Sequence, residues 1–268
     1  MSTTATETAP SEPMLLREDR GDIRILTLNR PDQYNALSEA MLTALQQELD
    51  ALAEDETKQV VILGANGKAF CAGHDLKEMR AQPDQEYYQT LFEQCRQVML
   101  TMTRIPQPLI ACVHGMATAA GCQLVANADL AVASTDARFA VSGINLGLFC
   151  STPGVALSRN VPRKRAFEML ITGKFIDAHT ASEWGLINAA VEPNKLMETV
   201  LELADNIAQK SPVAVRAGKQ MFYRQLEHGL ADAYAYAGDV MACNMMAEDT
   251  AEGIDAFIEK RTPTWRGK

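Results

Sequence analysis

No stretch of this 268-residue chain strings together the roughly 20 apolar residues that a membrane-crossing helix needs. Positive charge is also scarce. Lys and Arg total 25 against 34 Asp and Glu, a formal net charge of −9. Phosphate backbones want Lys and Arg, so nucleic acid is not the expected partner. A small anionic ligand needs only local cations and stays open. The six cysteines, at 71, 95, 112, 122, 150 and 243, have neither zinc-site spacing nor a CxxC redox pair. Several sit in apolar runs, as buried thiols do. They predict a reducing compartment without disulfides, and the expectation is a cytoplasmic protein. Nucleotide loops are missing too, since there is no GxxxxGK[ST] and no GxGxxG after a strand.

Met1–Pro13 is rich in Thr, Ala, Glu and Pro, with no Arg and no apolar core. It reads as a disordered tail (1–13), not as a secretory signal, and its acidic residues speak against a transit peptide. The remaining length suits one large domain or one domain with an appendage. Apolar residues make up 47%, enough for a sizeable core.

Ile23–Leu28 alternates as a strand does, and Pro31 cannot continue it. Ser38 reads as an N-cap, followed by Met41, Leu42, Leu45, Leu49 and Leu52 at helical spacing. Val60–Gly64, Leu109–Val113 and Leu130–Ala133 are short apolar runs of the buried-strand type. A helix over Tyr87–Arg104 lies between two of them. Strands alternating with helices predict an α/β class with a mostly parallel sheet. Beyond Pro162 the chain reads as helices only, over Arg163–Thr172, Ala178–Glu183, Lys195–Lys210, Pro212–Tyr223 and Ala231–Ala247. Asp177 and Ser211 are expected caps, and Pro212 takes the first helical position. The division expected is an α/β core over 14–200 and a helical segment over 201–268. Met221, Phe222, Tyr234, Tyr236, Met241, Met245 and Met246 are too many for a solvated face. They predict packing on the core or, more strongly, on another subunit.

Two small-residue turns follow apolar strands: Gly64–Lys77, and Gly115–Gly121 after Cys112-Val113-His114. In an open α/β sheet such loops line the ligand crevice. Unpaired backbone N–H groups at the helix start near Ala120 suit an oxygen that gains negative charge during a reaction. Taken alone, each turn is equally well explained by tight-turn geometry.

The wording of these turns carries more. The chain resembles the crotonase (enoyl-CoA hydratase/isomerase) superfamily at Asn29-Arg30-Pro31 and Asn35-Ala36-Leu37, along Ala69–Met79, and at Ala119–Leu124 with Asp129. The likeness continues at Ala137-Arg138-Phe139, Leu170–Gly173 and Trp184–Ile187, and reaches Phe257–Arg261 with Pro263. It spans roughly residues 15 to 265, and Leu148–Leu157 narrows it to one branch. The resemblance implies a crotonase-like ββα-superhelix core with a C-terminal helical trimerisation appendage, assembled as a trimer or a hexamer of paired trimers. It implies an acyl-CoA thioester as ligand, fatty-acid metabolism as setting, and no cofactor beyond the coenzyme A that the substrate carries. It implies that the backbone N–H groups of His74 and Ala120 grip the thioester oxygen while an enolate forms. It maps Gln33, Ala36, Ala72, Asp75, Leu76, Lys77 and Met116 to the coenzyme A channel. Phe257 and Lys260 would reach the nucleotide from a neighbouring subunit. Each lysine, read alone, is a solvated surface charge.

Hydratases of this family use two glutamates around a water, and those positions map to Gln123 and Gly143. An amide holds a water but does not take its proton, and glycine does neither. The resemblance implies an enzyme that nominally hydrates a 2-enoyl-CoA, here with non-standard acid–base groups because the usual two-glutamate route is missing. Isomerisation, hydrolysis, decarboxylation or binding without turnover are the alternatives. Cys150 and Ser151 are the candidate replacements, with Cys150 read either as a nucleophile or as channel lining. The His74 ring is a candidate base by its ordinary pKa. His114 and Asp129 read as structural residues.

Overall fold

The computed structural model describes residues 12–268. The expected tail therefore lies almost wholly outside the described residues. The chain begins with β1 (Leu15–Arg20), β2 (Ile23–Leu28), α1 (Glu39–Glu54), β3 (Val60–Ala65), β4 (Ala69–Cys71), α2 (Leu76–Ala81) and α3 (Gln85–Arg104). Next come β5 (Leu109–Val113), β6 (Met116–Thr118), α4 (Ala120–Asn127), β7 (Leu130–Ser134) and β8 (Arg138–Ala140). The second half holds α5 (Ser151–Asn160), α6 (Arg163–Thr172), β9 (Ile176–Asp177), α7 (Ala178–Glu183), β10 (Ala189–Val191), α8 (Leu196–Ala208), α9 (Pro212–Gln225), α10 (Leu230–Met245) and α11 (Glu248–Glu259).

Six strands form one sheet in the order β1-β2-β3-β5-β7-β10, parallel throughout except for the β1–β2 hairpin. Its strands are apolar on both faces, for a period-two reason. Ile23, Ile25, Val60, Ile62, Ile110, Cys112 and Val132 face α8 through Leu196, Val200 and Ala204. Leu26, Leu28, Val61, Leu63, Leu109, Ala111 and Ala133 face the main core with α1, α3 and α4. By this packing α8, which straddles residue 200, is a layer of the α/β unit.

A second sheet, β4-β6-β8-β9, stacks the short strands that follow β3, β5 and β7. Sequence periodicity cannot show strands of two or three residues, and β9 and β10 fall where only helices were expected. The three expected caps are present. Ser38 accepts from Met41 N–H, Asp177 from Thr180 N–H and Ser211 from Ala214 N–H. Such a cap is worth about 1 kcal/mol. All six cysteines are free thiols.

Candidate active site

Asn35 is where the site starts. It is fully buried with φ of 54°, a left-handed backbone that asparagine tolerates better than most residues. Its side chain accepts from Arg30 N–H at 2.8 Å and donates to Asn66 O and Ala69 O, each at 2.8 Å. One amide thus ties the turn after β2 to the loop between β3 and β4. The chain then zips along residues 72–75. Ala72 N–H donates to Tyr34 O, Leu37 N–H to Gly73 O, and Asp75 N–H to Leu37 O. Leu37 pairs with His74 as an isolated parallel bridge. In that pattern Leu37 bonds to the residues on either side of His74, so His74 turns its own N–H to the opposite side.

That side meets the start of α4. Gly73 has φ of 91°, and a Cβ placed on it would lie 2.9 Å from Ala119 Cβ and 3.2 Å from Ala120 N. Gly121 packs still closer, since a Cβ there would lie 2.1 Å from Cys71 O. No side chain fits between the two loops at either point. Ala119 takes φ 51° and ψ −121°, a strained rotation for a residue with a Cβ. Its N–H is held by Ala140 O at 3.0 Å, and its side chain caps nothing. Ala120 therefore opens α4 with a free N–H, at the positive end of the helix. Among the described residues neither His74 N–H nor Ala120 N–H has an acceptor. The structure thus brings two unpaired amides, from loops in van der Waals contact, to one place. Fixed donors of this kind stabilise an oxygen as it becomes negative without reorganising.

Around them the side chains are neutral. Gln123 lies one turn into α4, 6% exposed, and its Oε1 is buried with no partner among the described residues. The His74 ring packs edge-on against Phe92 of α3 at 5.4 Å, with Nε2 buried and also unpartnered. Burial lowers the His74 pKa to about 4, so the imidazole is neutral near pH 7 and a weak base. Gly143 N–H donates to Cys150 Sγ at 3.3 Å. A Cβ at 143 would meet Leu148 O at 2.6 Å and that sulfur at 2.7 Å, so the thiol and a carbonyl leave no room there for a side chain. Cys150 is 7% exposed and precedes α5; burial raises its pKa more than the Gly143 N–H lowers it, and the thiol stays protonated. Ser151 is exposed, and its hydroxyl reaches only Phe149 O at 3.4 Å.

Of the expected coenzyme A contacts, Gln33, Ala36, Ala72, Asp75, Leu76 and Lys77 come together on the zipped loops and the start of α2. Met116 begins β6, paired with Ala69 of β4. Asp75 is already occupied. It caps α2 through Lys77 N–H and Glu78 N–H and pairs with Arg30 at 3.1 Å. Burial pushes its pKa up, but these N–H donors and the guanidinium outweigh burial and hold it below the usual carboxylate range. Arg30 is a cation that sequence reasoning passed over; its place in Asn-Arg-Pro was the signal. Phe257 and Lys260 lie apart, on α11 and at its C-cap, and that helix packs against α10 and the segment holding Trp265. Phe257 is 85% exposed. His114 Nε2–H donates to Gly67 O at 2.9 Å, and Asp129 pairs with Lys219 at 2.7 Å; both hold the frame. Among the described residues no group of His, Cys, Asp and Glu is arranged to hold a metal.

The model of the family "Enoyl-CoA hydratase/isomerase" matches residues 18–268. An enoyl-CoA hydratase structure from Mycobacterium smegmatis superposes with TM-score 0.94 at 59% identity, over 95% of this chain and 99% of the other. Human enoyl-CoA hydratase domain-containing protein 3 superposes with TM-score 0.92 at 44% identity, over 94% of this chain and all of its own. The rat protein of that name, mitochondrial, is 46% identical over 95% of this chain and 85% of its own length. The frog, mouse and human relatives are likewise named mitochondrial. Those names overturn the expectation of a cytoplasmic protein. Free thiols, on which that expectation rested, do not tell one reducing compartment from another.

Proposed function

The chain belongs to the enoyl-CoA hydratase/isomerase family, and from that premise we propose that it binds an acyl-CoA thioester with the carbonyl oxygen between the N–H groups of His74 and Ala120. There it stabilises the enolate formed when the carbon next to the carbonyl loses or gains a substituent. The observation that carries this reading is the pair of unpaired amides from two loops in contact. Each such donor is typically worth about 10²–10³ in rate. Coenzyme A arrives with the substrate, along the loops of Gln33, Ala36, Ala72, Leu76 and Lys77, and no separate cofactor is needed.

The reaction is not two-carboxylate hydration, because Gln123 is an amide and position 143 has no room for a side chain. It is another step through the same enolate, with fatty-acid metabolism as the setting. A trimer, alone or paired as a hexamer, completes the binding site from a neighbouring α11. Supporting that assembly, Phe222, Leu230, Tyr234, Met241 and Met246 stand exposed on α9, α10 and the turn that follows.

The test is the infrared carbonyl stretch of carbonyl-labelled butyryl-CoA bound to the full chain. A shift to lower frequency on binding is expected, because the two donors polarise the carbonyl. Binding without a shift, or no binding above that of coenzyme A itself, overturns the reading.

A further inference from the structure

The front of α4, which offers the free Ala120 N–H, has no side-chain cap. Among the described residues, the side-chain hydrogen bonds to α4 all lie at its rear. Asn160 donates to Ala126 O and Asn127 donates to Met99 O, each at 2.7 Å. Asp129 follows directly on the C-cap residue Ala128 and is bound more heavily. Its Oδ2 accepts from Leu109 N–H at 2.6 Å and from Lys219 Nζ at 2.7 Å. Its Oδ1 accepts from the Tyr223 hydroxyl at 2.7 Å. Lys219 also donates to Met102 O and Gln107 O, each at 2.8 Å. Lys219 and Tyr223 stand one turn apart on α9. One helix of the C-terminal segment thus grips the rear of α4, the end of α3 and the approach to β5 together.

We propose that Asp129 is a positioning residue: held by α9, it sets through α4 the place of the Ala120 N–H. The inference rests on the function proposed above and adds to it a residue roughly 13 Å along the helix from the amide it governs. A short α-helix moves as a rod, because its own hydrogen bonds run along its axis. A slide or tilt at Asp129 therefore reaches Ala120. At the front, Gly121 packs against Cys71 O. That contact repels on approach and resists parting only weakly. The bonds at Asp129 and Lys219 supply direction, which contact packing lacks. A buried ion pair adds little net stability over well-packed apolar side chains of similar volume. What the five bonds of Asp129 and Lys219 add is a register.

The infrared shift of carbonyl-labelled butyryl-CoA, bound to the full chain, reads the amide directly. Tyr223→Phe deletes one hydroxyl and is expected to shrink the shift. Lys219→Met with Asp129→Asn removes both charges and keeps an acceptor for Leu109 N–H. Its urea midpoint should recover toward wild type relative to Lys219→Met alone, while the shift stays lost. Val200→Ala, in α8 on the other face of the sheet, is the control. It should lower the urea midpoint and leave the shift whole. A whole shift in Tyr223→Phe or in the double variant overturns the inference, as does a shift that simply follows the urea midpoint across these variants. No shift in the wild type fails the proposed function itself, and this inference with it.

Discussion

Gly121→Ala puts the central geometry at risk with a single methyl group. A Cβ at 121 would stand 2.1 Å from Cys71 O and 2.7 Å from Cys71 C, both backbone atoms that cannot swing aside. To reach an ordinary contact of 3.4 Å, α4 and β4 must part by about 1.3 Å. Overpacking of this kind costs about 1–3 kcal/mol, and the upper end applies where backbone must yield. The same displacement carries Ala120 N–H away from His74 N–H. A misplacement of about 1 Å can cost 10²-fold in a reaction that depends on alignment. Urea unfolding of the full chain should therefore show a loss of about 3 kcal/mol. The bound thioester carbonyl should lose most of its infrared shift. Gly64→Ala, where a Cβ meets nothing within 4 Å, is the control and should change neither. A Gly121→Ala protein as stable as wild type, with an undiminished shift, would refute the argument that these loops are locked together by missing side chains.

Other expectations follow from single residues. The His74 pKa is depressed from 6.5 to about 4, so the unfolded chain binds the extra proton first as pH falls. The associated stability is fully present above about pH 6.5 and drains away toward pH 4, by about 3 kcal/mol; His74→Leu should flatten that part of the stability–pH curve, and an unchanged curve counts against the burial argument. Lys219 donates to Met102 O, Gln107 O and Asp129 at 2.7–2.8 Å, so Lys219→Met should cost about 3 kcal/mol by leaving the half-buried Asp129 carboxylate without its counter-charge, although Leu109 N–H and Tyr223 O–H still donate to it, and Lys219→Met with Asp129→Asn should recover part of the loss. Of the six thiols only Cys243 is exposed, so a thiol reagent should titrate one quickly in the native protein. A second fast thiol that vanishes in Cys150→Ala would mark Cys150 as activated.

Much of the frame is written locally. The α1 stripe and its Ser38 cap, and the apolar runs of β3, β5 and β7, are readable because a helical period or a fully buried strand leaves a pattern over several residues. The second sheet is not, since β4, β6 and β8 have three residues each and exist only by pairing with one another. β1 hid for a different reason: Arg17–Arg20 carries four charges in a row and forms a strand because it is an exposed edge. Within the site, His74 and Ala120 were legible through family wording. The roles of Asn35 and Gly121 depend on contacts across 31 to 50 residues of chain, which no local window contains. The closed seat at Gly143 likewise depends on where Leu148 and Cys150 return.

Ala119 holds a rotation that suits glycine, at a cost of about 1–3 kcal/mol. Laboratory evolution would expose what that expense is for. A library selected for heat resistance alone should enrich glycine at 119, because the strain disappears. One selected for ligand turnover should retain alanine, because a freely pivoting turn would no longer hold the Ala120 dipole on target before the substrate arrives.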